Sequence, residues 1–458
     1  MALCTCRTAL ALAMSAGALA VGSSALAQTG ADVVYTDING ISHYGPVGGI
    51  HAYALGTYTC NIGNANLHWG GSWSGSPIVG FNAYRLSNGR LEQIGQSFGK
   101  KACCAAAGSG CGMTCNGAGG SVLGVGCRDI YGSSYNGSHG VLAPRSNVNA
   151  FTGAMTTPSS TTGDAIFKRL QVPATDLTTP GALYFVEGVY VGNDDAPNGN
   201  AMNNASYKRV VVNTSTFVMT EQGTMQVGQP AIKAWRTHGL GLNQEDPSVI
   251  LGAVTVPSEG TFHYAHKVTD LGNGTFRYDY AVFNLNSDRS GGSFSVPVPA
   301  GVTIISNGFR DVNYHSGEPY ANTDWTVSTS GGAVTWSSPQ TFAQNPNSNA
   351  LRWGTMYNFW FVADTGPGEA QATLGLFKPH TPSSVTFAVS APVTPECPAD
   401  YNNDNVVNTG DVSSFLSAWF ADITNGTLTA DFDNSGTTTT ADVSAMLSSW
   451  FAAVETGC

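Results

Sequence analysis

Helical periodicity is nearly absent between Gln28 and Pro395, and this absence restricts the fold of most of the chain. Short alternating runs rich in Val, Phe, Tyr and Thr occur there instead, separated by Gly, Asn, Pro and Ser. In one run Phe276, Tyr278 and Tyr280 recur at every second position, which is the period of a half-buried strand. The pattern predicts a mainly β fold made of antiparallel sheets.

The later runs predict a β-sandwich domain over residues 216–392. Two short runs flank Ser330, Gly331 and Gly332, which indicates a hairpin closed by a glycine turn. Strands at this spacing are typical of sandwiches of antiparallel sheets. Further runs lie at residues 294–298, 356–362, 370–377 and 385–389.

Residues 28–215 predict a second β domain, rich in Cys and Gly. Residues 184–191 and 208–212 are strand-like runs. Residues 100–140 consist mostly of Gly, Ser, Ala and Cys and contain no credible long element. Because such a segment buries little apolar surface, we expect covalent cross-links to hold it in place.

Residues 1–27 predict a secretory signal peptide. Arg7 precedes an apolar run from Ala9 to Ala20, and an Ala-x-Ala-like end follows at Ala25 and Ala27. An ordinary buried N-terminal helix is the alternative. No later run has the ~20 apolar residues that a membrane helix needs. We therefore expect a protein that is secreted or held at the cell surface, with no transmembrane segment in the mature chain.

The cysteines agree with export. Of the 10 cysteines, Cys4 and Cys6 lie in the predicted signal peptide, and the even number that remains favours disulfides in an oxidising compartment. The finger-like spacing of Cys111 and Cys115 also admits a metal site, although the neighbouring cysteines do not form two matched pairs with it. Six cysteines fall in the front third, with their pairing left open: Cys60, Cys103, Cys104, Cys111, Cys115 and Cys127.

The charge balance argues against nucleic acid as a partner. The formal net charge is -11 at pH 7 and charged residues make up 11% of the chain. The sequence contains no basic stripe that could neutralise phosphates. An acidic chain of this kind suits an exported protein that stays soluble and can hold cations.

The tail, residues 400–458, contains an internal duplication and follows a short Pro-rich linker at residues 393–399. Two segments match at a constant offset of 31 residues, and apolar residues after each loop recur at helical spacing. We expect one helix after each loop. The matching pairs are Asp400/Asp431, Asp411/Asp442, Val412/Val443, Leu416/Leu447, Trp419/Trp450 and Phe420/Phe451.

Each repeat begins with a loop whose oxygen-bearing residues have the spacing of a calcium-binding EF-hand loop. Gly436 stands where the second loop must turn sharply, and Asn405, which tolerates positive φ, stands there in the first. The alternative is that Asp and Asn simply form turns. The predicted ligands of two Ca²⁺ ions are Asp400, Asn402, Asp404, Val406, Asn408 and Asp411, and Asp431, Asp433, Ser435, Thr437, Thr439 and Asp442.

The two loop–helix segments resemble the dockerin family of paired EF-hand modules over about 60 residues. Asp at the last loop position is a dockerin-like feature. The Trp-Phe pair of each repeat, together with Gly457-Cys458, is similar to GC-type dockerin-like anchors of exported bacterial proteins, particularly planctomycete ones. The resemblance implies calcium-dependent docking onto a cohesin-like or other cell-surface protein. It places the partner-binding residues at Thr409, Gly410, Thr440 and Ala441, which differ from the Ser-Thr pair of cellulosomal dockerins.

Cys397 and Cys458 lie just outside the two repeats, and we predict a disulfide between them. A loop of ~60 residues closed in this way is stabilised by roughly 4 kcal/mol in the chain-entropy model.

The front domains contain no nucleophile elbow, phosphate-binding loop or zinc-protease motif. His315 lies close in sequence to Arg310, Asp311 and Glu318, a set that fits acid/base chemistry, a metal site or a polar turn. The connection at residues 192–204, rich in Asp and Asn, fits either a further calcium site or a hydrated loop.

Several aromatic residues and histidines also fit either a functional or a structural role. Trp69, Trp73 and Trp325 fit either sugar stacking or a sandwich core. His263 and His266 are three residues apart in a strand-like run, so we expect them to face opposite sides and not to share a metal.

The sequence thus predicts an exported surface or scaffold-attached protein with a calcium-dependent docking tail. Its front part has no assigned catalytic residue, although the stretch at residues 349–359 is similar to one in exported bacterial proteins. The alternative is a polysaccharide-degrading glycoside hydrolase or a carbohydrate-binding protein attached through the same tail. A pair of carboxylates in a cleft would favour the hydrolase, and a shallow aromatic platform would favour the binding protein.

Overall fold

The structure, a computed structural model, describes residues 29–71, 75–157, 162–315, 317–393, 397–404 and 406–456. Over these residues the chain forms antiparallel β-sheets followed by two C-terminal helices, which confirms the mainly β class and the small helical module. The predicted signal peptide and part of the predicted linker lie outside the described residues.

The first domain consists of a large sheet, a small sheet and a short two-stranded ladder. Its strands are β1 (Val33–Asp37), β2 (Ile41–Val47), β3 (Ile50–Leu55), β4 (Thr57–Asn61), β5 (Leu67–His68), β6 (Ile78–Ser87), β7 (Arg90–Lys101), β8 (Gly108–Ser109), β9 (Val122–Leu123), β10 (Cys127–Tyr131), β11 (Leu142–Ala143), β12 (Leu170–Pro173), β13 (Leu183–Val191), β14 (Ala205–Val212) and β15 (Met219–Gln226). The short helices are α1 (Ser133–Asn136) and 3-10 turns at His139–Val141, Arg145–Asn147, Ala174–Leu177, Ala196–Asn198 and Ala201–Asn203.

The strand order places the long central strands in the middle of the large sheet. That order is β15-β14-β13-β6-β7-β12-β3-β2, with β11 paired to β7, and the small sheet runs β1-β4-β10-β8. Tyr35 of the small sheet and Phe81 and Val186 of the large sheet share one apolar core. The strand-like runs at residues 184–191 and 208–212 are confirmed as β13 and β14.

Two disulfides hold the segment that contains no long element. Cys60 pairs with Cys111, and Cys115 pairs with Cys127, which confirms the expectation of cross-links. Because both sulfurs of the Cys111/Cys115 spacing are engaged in disulfides, they do not form a thiolate metal site. Cys103 and Cys104 carry free thiols whose Sγ atoms lie 2.8 Å apart.

The second domain is a sandwich of two five-stranded sheets. Its strands are β16 (Ile250–Thr255), β17 (Thr261–Asp270), β18 (Phe276–Asn284), β19 (Gly291–Pro297), β20 (Ile304–Arg310), β21 (Thr326–Ser328), β22 (Ala333–Ser337), β23 (Met356–Ala363), β24 (Pro367–Leu376) and β25 (Ser384–Pro392). The inner sheet runs β16-β17-β18-β23-β20 and the outer sheet runs β21-β22-β19-β24-β25. The hairpin expected around the glycine turn is the β21–β22 pair.

Aromatic side chains fill the space between the inner and outer sheets. The rings of Phe294 and Phe359 lie 4.7 Å apart between centroids, and those of Trp336 and Phe359 lie 5.4 Å apart. Large apolar rings of this kind supply most of the burial in a sandwich core.

The inner sheet is covered on both faces, because its second face packs against the first domain. Tyr280 of β18 belongs to the sandwich core, whereas Ala281 and Phe283 pack with Tyr84 and Phe185 of the large sheet. The alternation in β18 predicted a half-buried strand. The structure buries both faces because a neighbouring domain covers the side that would otherwise meet solvent.

The junction between the two domains lies between β15 and β16. Pairing of β15 with β14 extends the large sheet to Gln226, beyond the boundary expected at residue 215. A 3-10 turn at Ala231–Lys233 and helix α2 (Ala234–His238) follow. Trp235 is fully buried there, and its Nε1 donates a hydrogen bond of 2.7 Å to the carbonyl of Gly89.

The tail contains two helices of equal length, α3 (Thr409–Asn425) and α4 (Thr440–Thr456). Their first residues are 31 positions apart, as the sequence duplication requires. Phe415, Ala430 and Met446 form the small core between them. Asn408 caps α3, because its side chain accepts from the Gly410 amide at 2.6 Å.

Over the part of the chain that the structure describes, no helix has the length and apolar character needed to cross a membrane.

Candidate functional site

The second loop, residues 431–442, brings three carboxylates together. Asp431, Asp433 and Asp442 each place one carboxylate oxygen within 4.8 Å of the others. Within the described ranges no other group of three His, Cys, Asp or Glu residues meets this condition. Three convergent carboxylates are a suitable ligand set for a hard cation such as Ca²⁺.

Backbone amides of the same loop orient these carboxylates. Asp442 accepts from the Asp433 amide at 3.1 Å through Oδ1 and from the Thr439 amide at 2.7 Å through Oδ2. Asp431 Oδ1 accepts from the Ser435 amide at 2.9 Å. The Thr437 carbonyl, expected as a ligand, accepts from Ser435 Oγ at 3.1 Å.

The first loop, residues 400–411, repeats this hydrogen-bond pattern at the 31-residue offset. Asp411 accepts from the Asn402 amide at 3.1 Å and from the Asn408 amide at 2.8 Å. Asp400 Oδ1 accepts from the Asp404 amide at 3.0 Å. Burial alone would raise the pKa of Asp411, but the hydrogen bonds from Asn408 and Asn402 outweigh it and hold the pKa below its usual value.

The two loops differ at the third position. Asn402 stands where the second loop has Asp433, and its Nδ2 donates to Asp404 Oδ2 at 3.0 Å. The Val406 carbonyl accepts from Asn408 Nδ2 at 2.9 Å. In the first loop, therefore, the Asn402 side-chain amide donates a hydrogen bond to the carboxylate of Asp404, which is one of the predicted calcium ligands.

Positive φ angles occur at a loop position that the sequence analysis did not single out. Asn403 has φ 56° and Asn434 has φ 55°, again 31 residues apart. Gly436 has φ 82°, as expected for the sharp turn. Asn405, its counterpart in the first loop, lies outside the described residues. Asn tolerates this left-handed conformation better than most residues. The recurrence of Asn at the fourth position of both loops was the sequence signal that could have indicated it.

The residues assigned to partner binding lie at the starts of the two helices. Thr409 and Thr440 begin α3 and α4 and are exposed, as is Ala441, whereas Gly410 is half-buried. This arrangement puts the two pairs at equivalent places in the duplicated module.

A second repeated surface was missed by the sequence analysis. Phe420, Ile423, Phe451 and Val454 are more than half exposed, at 62%, 56%, 60% and 53%. They form two pairs at the 31-residue offset, and the Phe420/Phe451 match was the signal that could have found them.

Cys397, just before the first loop, is disulfide-bonded. Cys458 lies outside the described residues, so its pairing with Cys397 stays a prediction.

A cleft with an open volume of about 1070 Å³ lies between the two β domains. Arginines neutralise part of its acidic lining: Arg85 and Arg310 both reach Asp176, at 2.9 Å and 3.0 Å. Burial pulls the pKa of Glu92 upward, but Arg310, Arg85 and Arg90 outweigh it and hold the pKa below its usual value.

Two further carboxylates in this cleft have a different environment. Asp311 and Asp324 both line it, and neither forms an ion pair within 4.0 Å over the described residues. Burial raises the pKa of Asp311 to about 6, and the charge of Asp324 adds to the effect. Asp324 is exposed. The pair therefore combines a protonatable carboxyl with an open carboxylate.

The residues around His315 do not converge on one site. His315 is buried against Phe98, with ring centroids 4.5 Å apart. Glu318 instead accepts from the Arg145 amide at 2.6 Å, while Arg310 binds Asp176. Of the three alternatives for this stretch, the acid/base and metal sites gain no support, because His315, Glu318 and Arg310 serve separate contacts.

The aromatic residues considered for sugar stacking belong to the cores. Trp69 is fully buried and Trp325 is 3% exposed, so neither offers a stacking surface. Trp73 lies outside the described residues. His263 packs near Phe283 of the domain interface, whereas His266 accepts from the Ser390 amide at 3.2 Å, so the two histidines face opposite sides as expected.

Comparisons with known proteins leave the family open. No family model matches the chain, and no curated protein matches it. Among solved structures, the N-terminal domain of a Streptococcus gordonii adhesin aligns over 75% of this chain and 61% of that chain, with 7% identity and a TM-score of 0.16. The alignment therefore spans less than two thirds of the adhesin domain, and a score this low carries no argument about fold or function.

Proposed function

We propose that this protein is an exported surface or scaffold-attached protein whose tail binds two Ca²⁺ ions and docks, in the calcium-bound state, onto a cohesin-like or other cell-surface protein. The convergence of Asp431, Asp433 and Asp442 within 4.8 Å of one another carries the proposal. Loop spacing in the sequence predicts the same three residues, and a turn-forming role alone does not require their carboxylates to meet.

The duplicated geometry extends the proposal to the first loop. Asp411 and Asp442 are buried at the start of their helices and accept equivalent pairs of backbone amides. Each can face an ion with a carboxylate already oriented by the loop. In EF-hand loops the last position closes the coordination shell in this way.

Calorimetric titration of the full chain with Ca²⁺ tests the binding step. We expect two ions in the tail, with one lost in Asp411→Asn and the other lost in Asp442→Asn. Exposed Glu455→Gln, in the same module, is the matched control and should bind as the wild type does. Equal binding by all four proteins would refute a calcium-binding tail.

Calcium-dependent retention on the cell envelope tests the docking step. Washing with a chelator should release the wild-type chain, and Asp411→Asn/Asp442→Asn should not be retained in the presence of Ca²⁺. Thr409→Arg/Thr440→Arg should bind Ca²⁺ normally but lose retention, because it changes the surface at the helix starts and not the ligands. If retention is unaffected by both changes, docking through this face is wrong even where calcium binding holds.

A second function, hydrolysis of a polysaccharide, is favoured by one observation in the interdomain cleft. Burial together with Asp324 raises the pKa of Asp311 to about 6, and Asp324 itself is open to the cleft. Glycosidases divide acid and base roles between two carboxylates in this manner. Release of reducing ends from soluble polysaccharides that is abolished by Asp311→Asn and by Asp324→Asn would support it. Activity that survives both substitutions, or no activity in the wild type, would count against it.

A further inference from the structure

The connection between β13 and β14 holds an unusual number of buried oxygens without hydrogen-bond partners. Four side-chain oxygens there are screened from solvent and accept no hydrogen bond: Asp194 Oδ1, Asp195 Oδ1, Asn203 Oδ1 and Asn204 Oδ1. Over the described residues only one other buried side-chain oxygen, Asn136 Oδ1, is in this condition. Leaving a buried acceptor unpaired is destabilising, so four within one connection require a compensating group.

Asp32, from the start of the described chain, lies against this connection. Its carboxylate is fully buried and accepts from Asn203 Nδ2 at 3.0 Å and 3.3 Å. Asn200 fixes the same segment by donating to the carbonyls of Thr29 and Ala31 at 3.1 Å and 2.8 Å. The N-terminal segment and the connection therefore form one packed unit with an acidic interior.

The charges in this unit are not balanced by basic residues. Among the described residues, none of Asp32, Asp194 and Asp195 forms an ion pair within 4.0 Å. Asp195 is fully buried and accepts from Asn204 Nδ2.

At another buried carboxylate, that of Glu92, the chain itself supplies cations. Glu92 has nitrogen atoms of Arg85, Arg90 and Arg310 at 2.7, 2.8 and 3.3 Å. The buried carboxylate of Glu187 instead has three neutral hydrogen-bond donors, whereas the unpaired oxygens around Asp195 have neither cations nor donors from the described chain.

We propose that this unit binds one Ca²⁺ ion through the unpaired side-chain oxygens of Asp195, Asn203 and Asn204, with that of Asp194 as a further ligand. Ca²⁺ accepts six to eight carboxylate and amide oxygens in flexible geometry, whereas Mg²⁺ keeps several water ligands that a buried connection does not accommodate easily. A single buried water donates too few hydrogen bonds to satisfy four acceptors and leaves the negative charge uncompensated. The ion holds the connection between β13 and β14 in place and is independent of the tail.

Calcium content of the full chain after equilibrium dialysis tests this site. The starting protein, called the background, is the double variant Asp411→Asn/Asp442→Asn, whose tail loops should no longer bind calcium. In it we expect one bound ion per chain, none after the further change Asp195→Asn, and one after the control change Glu187→Gln. Glu187 is also fully buried, on β13, but its carboxylate accepts from Asn82, Tyr84 and the Ala231 amide.

The outcomes separate this inference from the tail proposal. A folded background chain that binds no calcium overturns the front site and leaves the tail sites standing. Both the tail sites and the front site are supported if the background binds two ions fewer than the wild type. It should then keep one ion, which is lost when Asp195→Asn is added.

A measurement on the wild-type chain covers the case in which Asp195→Asn fails to fold. Crystals soaked with Tb³⁺ should show anomalous density within roughly 2.3–2.6 Å of oxygens of Asp195 and Asn204, the Ca²⁺–oxygen range. Tb³⁺ density at the tail loops without density in this connection would refute the site.

Discussion

The indole nitrogen of Trp419 donates a hydrogen bond of 2.7 Å to the carbonyl of Thr439, the ninth residue of the opposite loop. Trp450 makes the equivalent bond of 2.8 Å to the carbonyl of Asn408. Donors and acceptors are each 31 residues apart, so the tail has an approximate twofold relation in which each helix fixes the loop of the other repeat. The two proposed calcium sites are thereby joined through packing.

Trp419→Phe should weaken calcium binding in the second loop more than in the first. Phe keeps most of the packing volume but removes the donor to Thr439, and a hydrogen bond of this kind contributes about 1 kcal/mol. We expect a roughly fivefold weaker second-loop affinity by calorimetry. Phe420→Leu, at the exposed neighbouring position, is the control and should leave both affinities unchanged. Equal weakening of both loops would contradict the cross-repeat role.

The second loop should fill before the first when calcium is added. Asp431, Asp433 and Asp442 already converge, whereas in the first loop the Asn402 amide occupies an oxygen of Asp404 and must turn away. Calorimetry should therefore resolve a tighter and a weaker step. Asp442→Asn should remove the tighter one. Retention of the tighter step in that variant would reverse the assignment.

The sequence predicted what is local and missed what joins distant segments. The proposed tail ligands fall within loops of twelve residues, so their spacing alone selected Asp431, Asp433 and Asp442. The bond from Trp419 to Thr439 crosses between repeats, and no periodicity within one repeat reveals it. Asp32 and Asp195 are separated by most of the first domain, and only the sheet topology brings them close.

The same reason explains the strand whose burial was underestimated. The alternation in β18 correctly indicated a strand, because Tyr278 and Tyr280 face the sandwich core. It could not indicate that Phe283 packs on the first domain, since a two-residue period records one apolar face and not what covers the other. The failed grouping around His315 has a related cause, because neighbours in an irregular segment need not point in one direction.

Arg145→Met should destabilise the junction of the two β domains. The buried guanidinium donates to the carbonyls of Ser97 and Phe81 at 2.7 Å and 2.8 Å in the first domain, and to that of Gly354 at 3.1 Å in the second. Leaving a buried carbonyl without its donor costs roughly 1–3 kcal/mol, and this substitution removes the donor from three of them. Denaturant unfolding should show this loss, and exposed Arg128→Met should change stability little. Similar effects of the two substitutions would contradict the role of Arg145.

The stability of the front domains should fall on mild acidification, in part through His315. Burial lowers the pKa of His315 to about 3, with smaller contributions from the charges of Arg145 and Lys168. The unfolded chain takes up this proton below a pH of about 6.5 and the folded chain does not, so the free energy of unfolding decreases as the pH falls from about 6.5 towards about 3. Between pH 7 and pH 5 the loss is about 2 kcal/mol.

Comparison of His315→Gln with the wild type isolates this contribution. The variant should be less stable at pH 7 but lose about 2 kcal/mol less than the wild type between pH 7 and pH 5 in denaturant titrations. Exposed His380→Gln should follow the wild-type pH dependence. Parallel curves for all three proteins would show that His315 is protonated in the folded state.

Thiol labelling should separate the cysteines into two classes. In the native chain Cys103 and Cys104 should react with an alkylating agent, because both are free and Cys104 is exposed. The hydrogen bond from Cys104 lowers the pKa of the Cys103 thiol, which increases its thiolate fraction and should make it the faster of the two. Peptide mapping without reduction should recover Cys60 with Cys111, and the tail prediction requires Cys397 with Cys458. A labelled Cys397 in the native chain would contradict its disulfide, and a peptide that joins Cys397 to any other cysteine would refute the clasp around the tail.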